Sequence, residues 1–143
     1  MEKMKTTSAT PSSRKPLQYL VNKLAEQNLA AAEKAGSRII SQIDTAIQVD
    51  TRDIRLVTLI GELLETVVNH SRNGDIHITA DRYLDVVILS IQERNNYNGY
   101  ALSYSIQSYQ PEVSVLGGHI SINGAQQRVA TISFSFPVPV AAA

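Results

Sequence analysis

Five polar side chains, Thr58, Glu62, Glu65, Thr66 and Asn69, gather within about 100° of one another when Leu56 to Ser71 is wound as a helix. Carboxylate, hydroxyl and amide oxygens at that spacing suit a hard divalent cation and the phosphate it would carry. A solvated helix face presents the same residue types, so the pattern leaves both readings open. Other chemistries are narrowed by what the chain lacks. It has no cysteine, hence no disulfide, thiolate nucleophile or cysteine-ligated zinc. Its three histidines, His70, His77 and His119, stand far apart with no paired spacing, so a zinc site is not expected.

The 13 basic and 13 acidic side chains of the 143 residues cancel, which removes the electrostatic footprint of a nucleic-acid partner. No apolar run approaches the roughly 20 residues that span a bilayer, and no apolar segment follows the basic N-terminal residues. The expectation is one cytoplasmic domain with no membrane insertion of this segment.

The polar face must be held by a core, and the same stretch supplies it. Leu56, Leu59, Ile60, Leu63, Leu64, Val67 and Val68 form one apolar stripe, with Asp50, Thr51 or Asp53 as the cap. Residues 1–16 read as a tail or linker rich in Ser, Thr, Pro and basic residues. A helix is then predicted over 16–35, with Pro16 in its first turn, Leu17, Leu20, Val21, Leu24 and Leu29 inward, and Gly36 as its stop. Short β-rich runs follow at 38–43 and 46–49, turned by Asp44 and Thr45. Alternation predicts a strand at 75–81, and residues 84–91, apolar on both faces, a central strand. Residues 93–99 form a polar loop.

Tyr100, Leu102, Tyr104 and Ile106 alternate like a strand after an Asn98-Gly99 turn, yet Leu102, Ile106 and Tyr109 also keep helical spacing. The segment is taken with Pro111 to Leu116 as one broken helix closed by Gly117-Gly118. A hairpin about Asn123-Gly124 ends the domain, with Ala130, Ile132, Phe134 and Phe136 on one face and residues 138–143 as a second tail. This order predicts an α+β fold: a two-layer α/β sandwich with a mixed sheet of about five strands covered on one face by three helices.

Four blocks then carry a specific resemblance: ELLETVVNHS (62–71), VVILSIQERN (86–95), LGGHISI (116–122) and ATISFSFP (130–137). In this order they resemble the ATP-binding catalytic domain of histidine kinases and their relatives among gyrase, Hsp90 and MutL, the Bergerat fold, over about residues 17–137. The resemblance implies a nucleotide site at Glu62, Thr66, Asn69, Glu93, Asn95, Gly99 and Thr131. Glu62 stands at the first position of the family's Asn-rich helix motif, the candidate catalytic residue if the domain is active. Thr66 replaces the Asn that completes magnesium coordination and is the metal ligand the resemblance implies. Glu93 takes the place of the Asp that accepts from the adenine amino group, and Thr131 that of the strand Thr that anchors this Asp.

The departures from the pattern converge on one pocket. Asn95 and Tyr97 stand where the family has glycines, Gly99-Tyr100-Ala101 replaces the phosphate-binding turn, and no length remains for a lid before Leu102. The expected function is therefore a signalling module with lost or weakened ATP binding, no cofactor, no kinase activity alone, and a protein partner or self-association as its output. The alternative is a working Mg-ATP-binding catalytic domain whose phosphoacceptor histidine lies on another segment or protein, since His70 is read as a C-terminal helix cation or packing residue. Tyr97, Tyr100, Tyr104 and Tyr109 are expected to fill the core and rim around the vacated pocket.

Overall fold

All seven apolar residues of the organising stripe are buried in the computed structural model, which describes residues 14–138. They lie on helix α3 (Ile54–Asn69), whose N-cap is Asp53, its side chain accepting from the Leu56 N–H at 3.3 Å. The stripe lies against a five-stranded mixed sheet. Strand β2 (Arg38–Gln42) pairs in parallel with β4 (Asp75–Tyr83); β4 then pairs antiparallel with β5 (Val86–Glu93), β5 with β7 (Ala130–Pro137), and β7 with β6 (His119–Asn123). Strand β5 is thus central, as its apolar content predicted. Its residues alternate: Val87, Leu89, Ile91 and Glu93 are buried, whereas Val86, Ile88, Ser90 and Gln92 are half-buried on the other face. Leu59, Leu63, Val67, Val87, Leu89, Ile132 and Phe134 share one core.

Several boundaries move for local reasons. Arg14–Pro16, assigned to the tail by composition, form strand β1 against β3 (Gln48–Asp50). Residues 1–13 and 139–143, the remainder of the two expected tails, lie outside the described residues. The first helix starts after Pro16 and is two helices, α1 (Leu17–Gln27) and α2 (Leu29–Lys34). Asn28 breaks it, its side-chain amide donating back to the Leu24 carbonyl at 2.9 Å, and Leu29 is left 52% exposed instead of entering the core. Gly36 does stop α2: at φ +75° it takes the left-handed conformation, and the Ser37 N–H reaches back to the Ala32 carbonyl at 2.8 Å.

The tyrosine-rich segment is helical. Leu102 and Ile106 are buried four residues apart on α4 (Gly99–Gln107), with Tyr100 and Tyr104 on its outer face, and α5 (Gln110–Val115) follows. Asn98-Gly99 therefore opens a helix and makes no hairpin. The true tight turn is Leu84-Asp85 between β4 and β5, where Leu84 is 87% exposed at φ +56°. Between β6 and β7 the connection is six residues, 124–129, longer than a two-residue turn, with Gly124 at φ +76°. The five helices make three helical stretches, α1–α2, α3 and α4–α5. The result is the expected α+β sandwich.

Candidate functional site

The C-terminal half of α3 and the ends of β5 and β7 carry most of the residues singled out from the sequence. Glu62 and Thr66 share one face of α3, a turn apart, and both meet Tyr109 from the break between α4 and α5. The tyrosine hydroxyl shares a 2.9 Å hydrogen bond with Thr66 Oγ1 and donates a long 3.5 Å one to the Glu62 carbonyl. Thr66, the candidate metal ligand, is thus partnered within the chain. Asn69 lies exposed on the last turn. His70 is the C-cap, its Nδ1 2.8 Å from the Thr66 carbonyl oxygen, a packing and capping role. The Glu62 side chain is exposed at a groove between α3 and α5, beside Arg55, Thr58 and Glu112.

Glu93 ends β5 and is 1% exposed, on the helix-covered face. Its Oε1 accepts from the Asn95 N–H at 2.8 Å, while its buried Oε2 has no partner. The Asn95 side-chain amide in turn donates to the carbonyls of Arg72 (3.0 Å) and Asn73 (3.3 Å). These bonds draw the α3–β4 connection over the carboxylate. Gly74 makes the closure possible: a β-carbon there would lie 2.5 Å from Glu93 Oε1 and 2.7 Å from the Asn95 β-carbon. Arg94 is turned outward, bonded to Gln92 Oε1 at 3.1 Å. The Arg72–Gly74 backbone and Asn95 wall the Glu93 carboxylate.

Gly99 is used in a similar way. A β-carbon there would overlap the Ala125 carbonyl oxygen and approach Asn96 Nδ2 to 2.7 Å. Asn96 fixes that contact from the other side, its amide donating to the carbonyls of Ala125 (3.0 Å) and Gln127 (2.9 Å) and its N–H to Arg128 (2.8 Å). The glycine at the phosphate-turn position thus seats α4 against the β6–β7 connection. Thr131 is displaced from its expected role by register. Glu93 faces Ala130, whereas Thr131 pairs with Gln92, so strand alternation puts the threonine on the opposite face from the carboxylate it was expected to anchor. Of the four tyrosines, Tyr109 packs against the core; Tyr97, Tyr100 and Tyr104 are 51%, 72% and 80% exposed and fill no pocket.

Sequence reasoning missed the Tyr109 hydroxyl's partner, Gly74 and the Arg72–Asn73 carbonyls. Tyr109 was visible as the third member of the Leu102, Ile106, Tyr109 series, but its hydroxyl partner on α3 was not. Carbonyl acceptors leave no trace in residue type. Among the described residues no three His, Asp or Glu side chains come together to hold a metal, and no helix is long and apolar enough to cross a membrane.

Magnesium and ATP can be tested against these atoms. At the adenine end the fit is partial, because Glu93 Oε2 is a buried acceptor without a donor. At the metal and phosphate positions that the resemblance implies, the Thr66 hydroxyl is bonded to Tyr109 and the Gly99 α-carbon abuts the Ala125 carbonyl.

No protein-family model matches the chain, and no curated protein matches it by sequence. Solved structures match in fold. The catalytic domain of the histidine kinase ThkA superposes with a TM-score of 0.71 at 14% identity, covering 87% of this chain and 93% of that one. The Acinetobacter baumannii histidine kinase AdeS gives 0.71 at 13%, covering 87% of this chain and 66% of its own. Full-length ShkA, in complex with AMPPNP, gives 0.68 at 20% over 92% of this chain, which spans 32% of ShkA. The chain has the fold of histidine kinase catalytic domains.

Proposed function

We propose that this domain is a signal-transduction module that keeps the fold of a histidine kinase catalytic domain, has lost effective Mg-ATP binding, and acts through a protein partner. The observation that carries this reading is the Thr66–Tyr109 hydrogen bond, which commits the metal ligand the resemblance implies to the chain itself. Two further features act in the same direction: Asn95 ties the α3–β4 connection across the carboxylate end, and Gly99 seats α4 against the β6–β7 connection. Each removes a different ligand contact, on metal, base or phosphate, and losing a polar contact of this kind costs on the order of 1 to 3 kcal/mol. Three such losses move a micromolar site to about millimolar or weaker, since ~1.4 kcal/mol is a factor of ten. The solved complex of ThkA with the response regulator TrrA, similar in fold to this chain, supports a protein partner as the output.

One observation favours the other reading, a retained nucleotide-binding catalytic domain. Glu93 Oε2 is a buried acceptor without a partner, and an exocyclic amino group would satisfy it. Calorimetric titration of the chain with Mg-ATP separates the two. The pseudo-enzyme reading expects no saturable heat below about 1 mM. Magnesium-dependent binding at tens of micromolar, lost in Glu93→Ala, would replace it with the catalytic-domain reading.

A further inference from the structure

At the end of the domain formed by the loop after β5, the start of α4 and the β6–β7 connection, a groove is lined by Asn96, Tyr97, Tyr100, Gln126, Gln127 and Arg128. Its walls are fixed. Asn96 holds the β6–β7 connection by three hydrogen bonds, and the Gly99 α-carbon sits directly on Ala125. On its aromatic wall the Arg72 guanidinium lies 4.8 Å from the centre of the Tyr97 ring.

Arg128 is the one charged residue that lines the groove, and Arg72 adjoins it across the Tyr97 ring. Arg72 and Arg128 are exposed, and neither makes an ion pair among the described residues. The nearest acid in sequence to this loop, Glu93, is buried with one oxygen on Asn95 and is shielded from the groove. In a chain of zero formal net charge, two uncompensated guanidiniums beside exposed tyrosines and side-chain amides make a local donor-rich surface. Guanidinium forks match carboxylates, and rigid tyrosines supply contact area at little entropic cost.

We propose that this groove docks an acidic peptide segment of a protein partner, with Arg128 and Arg72 taking its carboxylates and Tyr97 and Tyr100 its aliphatic stems. Single-stranded nucleic acid would use the same tyrosines, but its affinity rests on many phosphate contacts, and two arginines in a neutral chain supply few. The groove does not include Thr66 or Glu62, but it shares Gly99 with the nucleotide site the resemblance implies.

The test is fluorescence anisotropy of the full chain with three labelled probes of equal length: an Asp/Glu/Ala peptide, a Lys/Ala peptide and an oligothymidylate. The acidic peptide binds at low salt and weakens as salt rises. Its affinity falls about tenfold in Arg128→Glu and about threefold in Tyr100→Ala, while thermal unfolding stays that of the parent chain, both side chains being exposed. No binding of the acidic peptide, tighter binding of the oligothymidylate, or affinities unchanged in both variants would each overturn the proposal.

Discussion

Replacing Gly99 by alanine asks whether that glycine serves a ligand or the fold. An added β-carbon would overlap the Ala125 carbonyl oxygen and lie 2.6 Å from the Ala125 carbonyl carbon, where ordinary contact begins at 3.4 Å. Both obstacles are backbone, so the β6–β7 connection must move away from α4. That movement puts three hydrogen bonds at risk, from Asn96 to Ala125, Gln127 and Arg128. At a net of about 1 kcal/mol each, the loss is about 2 to 3 kcal/mol. Some of the strain relaxes through the loop, which keeps the sum from rising further. For a domain of this size roughly 4 °C accompanies each kcal/mol, so the melting temperature should fall by about 10 °C. Gly61→Ala on α3 is the comparison: its nearest obstacle is the flexible end of Leu24 at 3.3 Å, and helix propensity gains about 1 kcal/mol. Circular dichroism melting and urea titration of both variants give the answer. A Gly99→Ala chain within about 0.5 kcal/mol of the parent would show that the β6–β7 connection does not press on Gly99, and the structural role assigned to it would fail.

Leu63 has no exposed surface, at the centre of the α3 stripe, and Leu63→Ala should cost about 2 to 5 kcal/mol in urea unfolding, whereas Glu65→Ala on the opposite face should cost less than about 0.5. Leu84 holds φ +56° with its side chain 87% exposed, so Leu84→Gly should stabilise by about 0.5 to 1 kcal/mol, read as a raised urea midpoint. The Arg38 guanidinium, bonded at 3.1 Å through both Nε and Nη2, holds the Asp75 carboxyl below its ordinary value of 3.8. A depressed carboxylate stabilises the fold above its unfolded value and loses that contribution as pH falls through the folded one. Parent and Asp75→Asn melting curves should therefore differ at neutral pH and converge in acid below the ordinary value.

Elements whose side chains alternate or recur were legible. The α3 stripe, the central position of β5 and the inward face of β7 followed from period alone, because burial of one face is what those patterns encode. The break at Asn28 was not, since it depends on a side chain competing for a backbone carbonyl. Nor was Arg14–Pro16 as a strand, because a three-residue edge pairing leaves almost no compositional mark. At the candidate site the departures at Thr66, Asn95 and Tyr97 were plain in the sequence. The internal partners of Thr66 and Asn95 were not, because Tyr109 lies 43 residues from Thr66 and the partners of Asn95 are carbonyl oxygens. The register that separates Thr131 from Glu93 likewise emerges only when β5 and β7 are paired.

The most direct test of the central claim, that the chain itself occupies the nucleotide's contacts, is an amide NMR titration with Mg-ATP. The Asn95 N–H, bonded to Glu93, and the amides of Thr66, Gly99 and Tyr109 sit at the positions where the resemblance implies a nucleotide. The account predicts that these resonances hold their positions up to about 1 mM nucleotide, the range expected of a millimolar or weaker site. Saturable, magnesium-dependent shifts of Asn95 and Thr66 together at tens of micromolar would contradict it, because both internal bonds would then yield to the ligand.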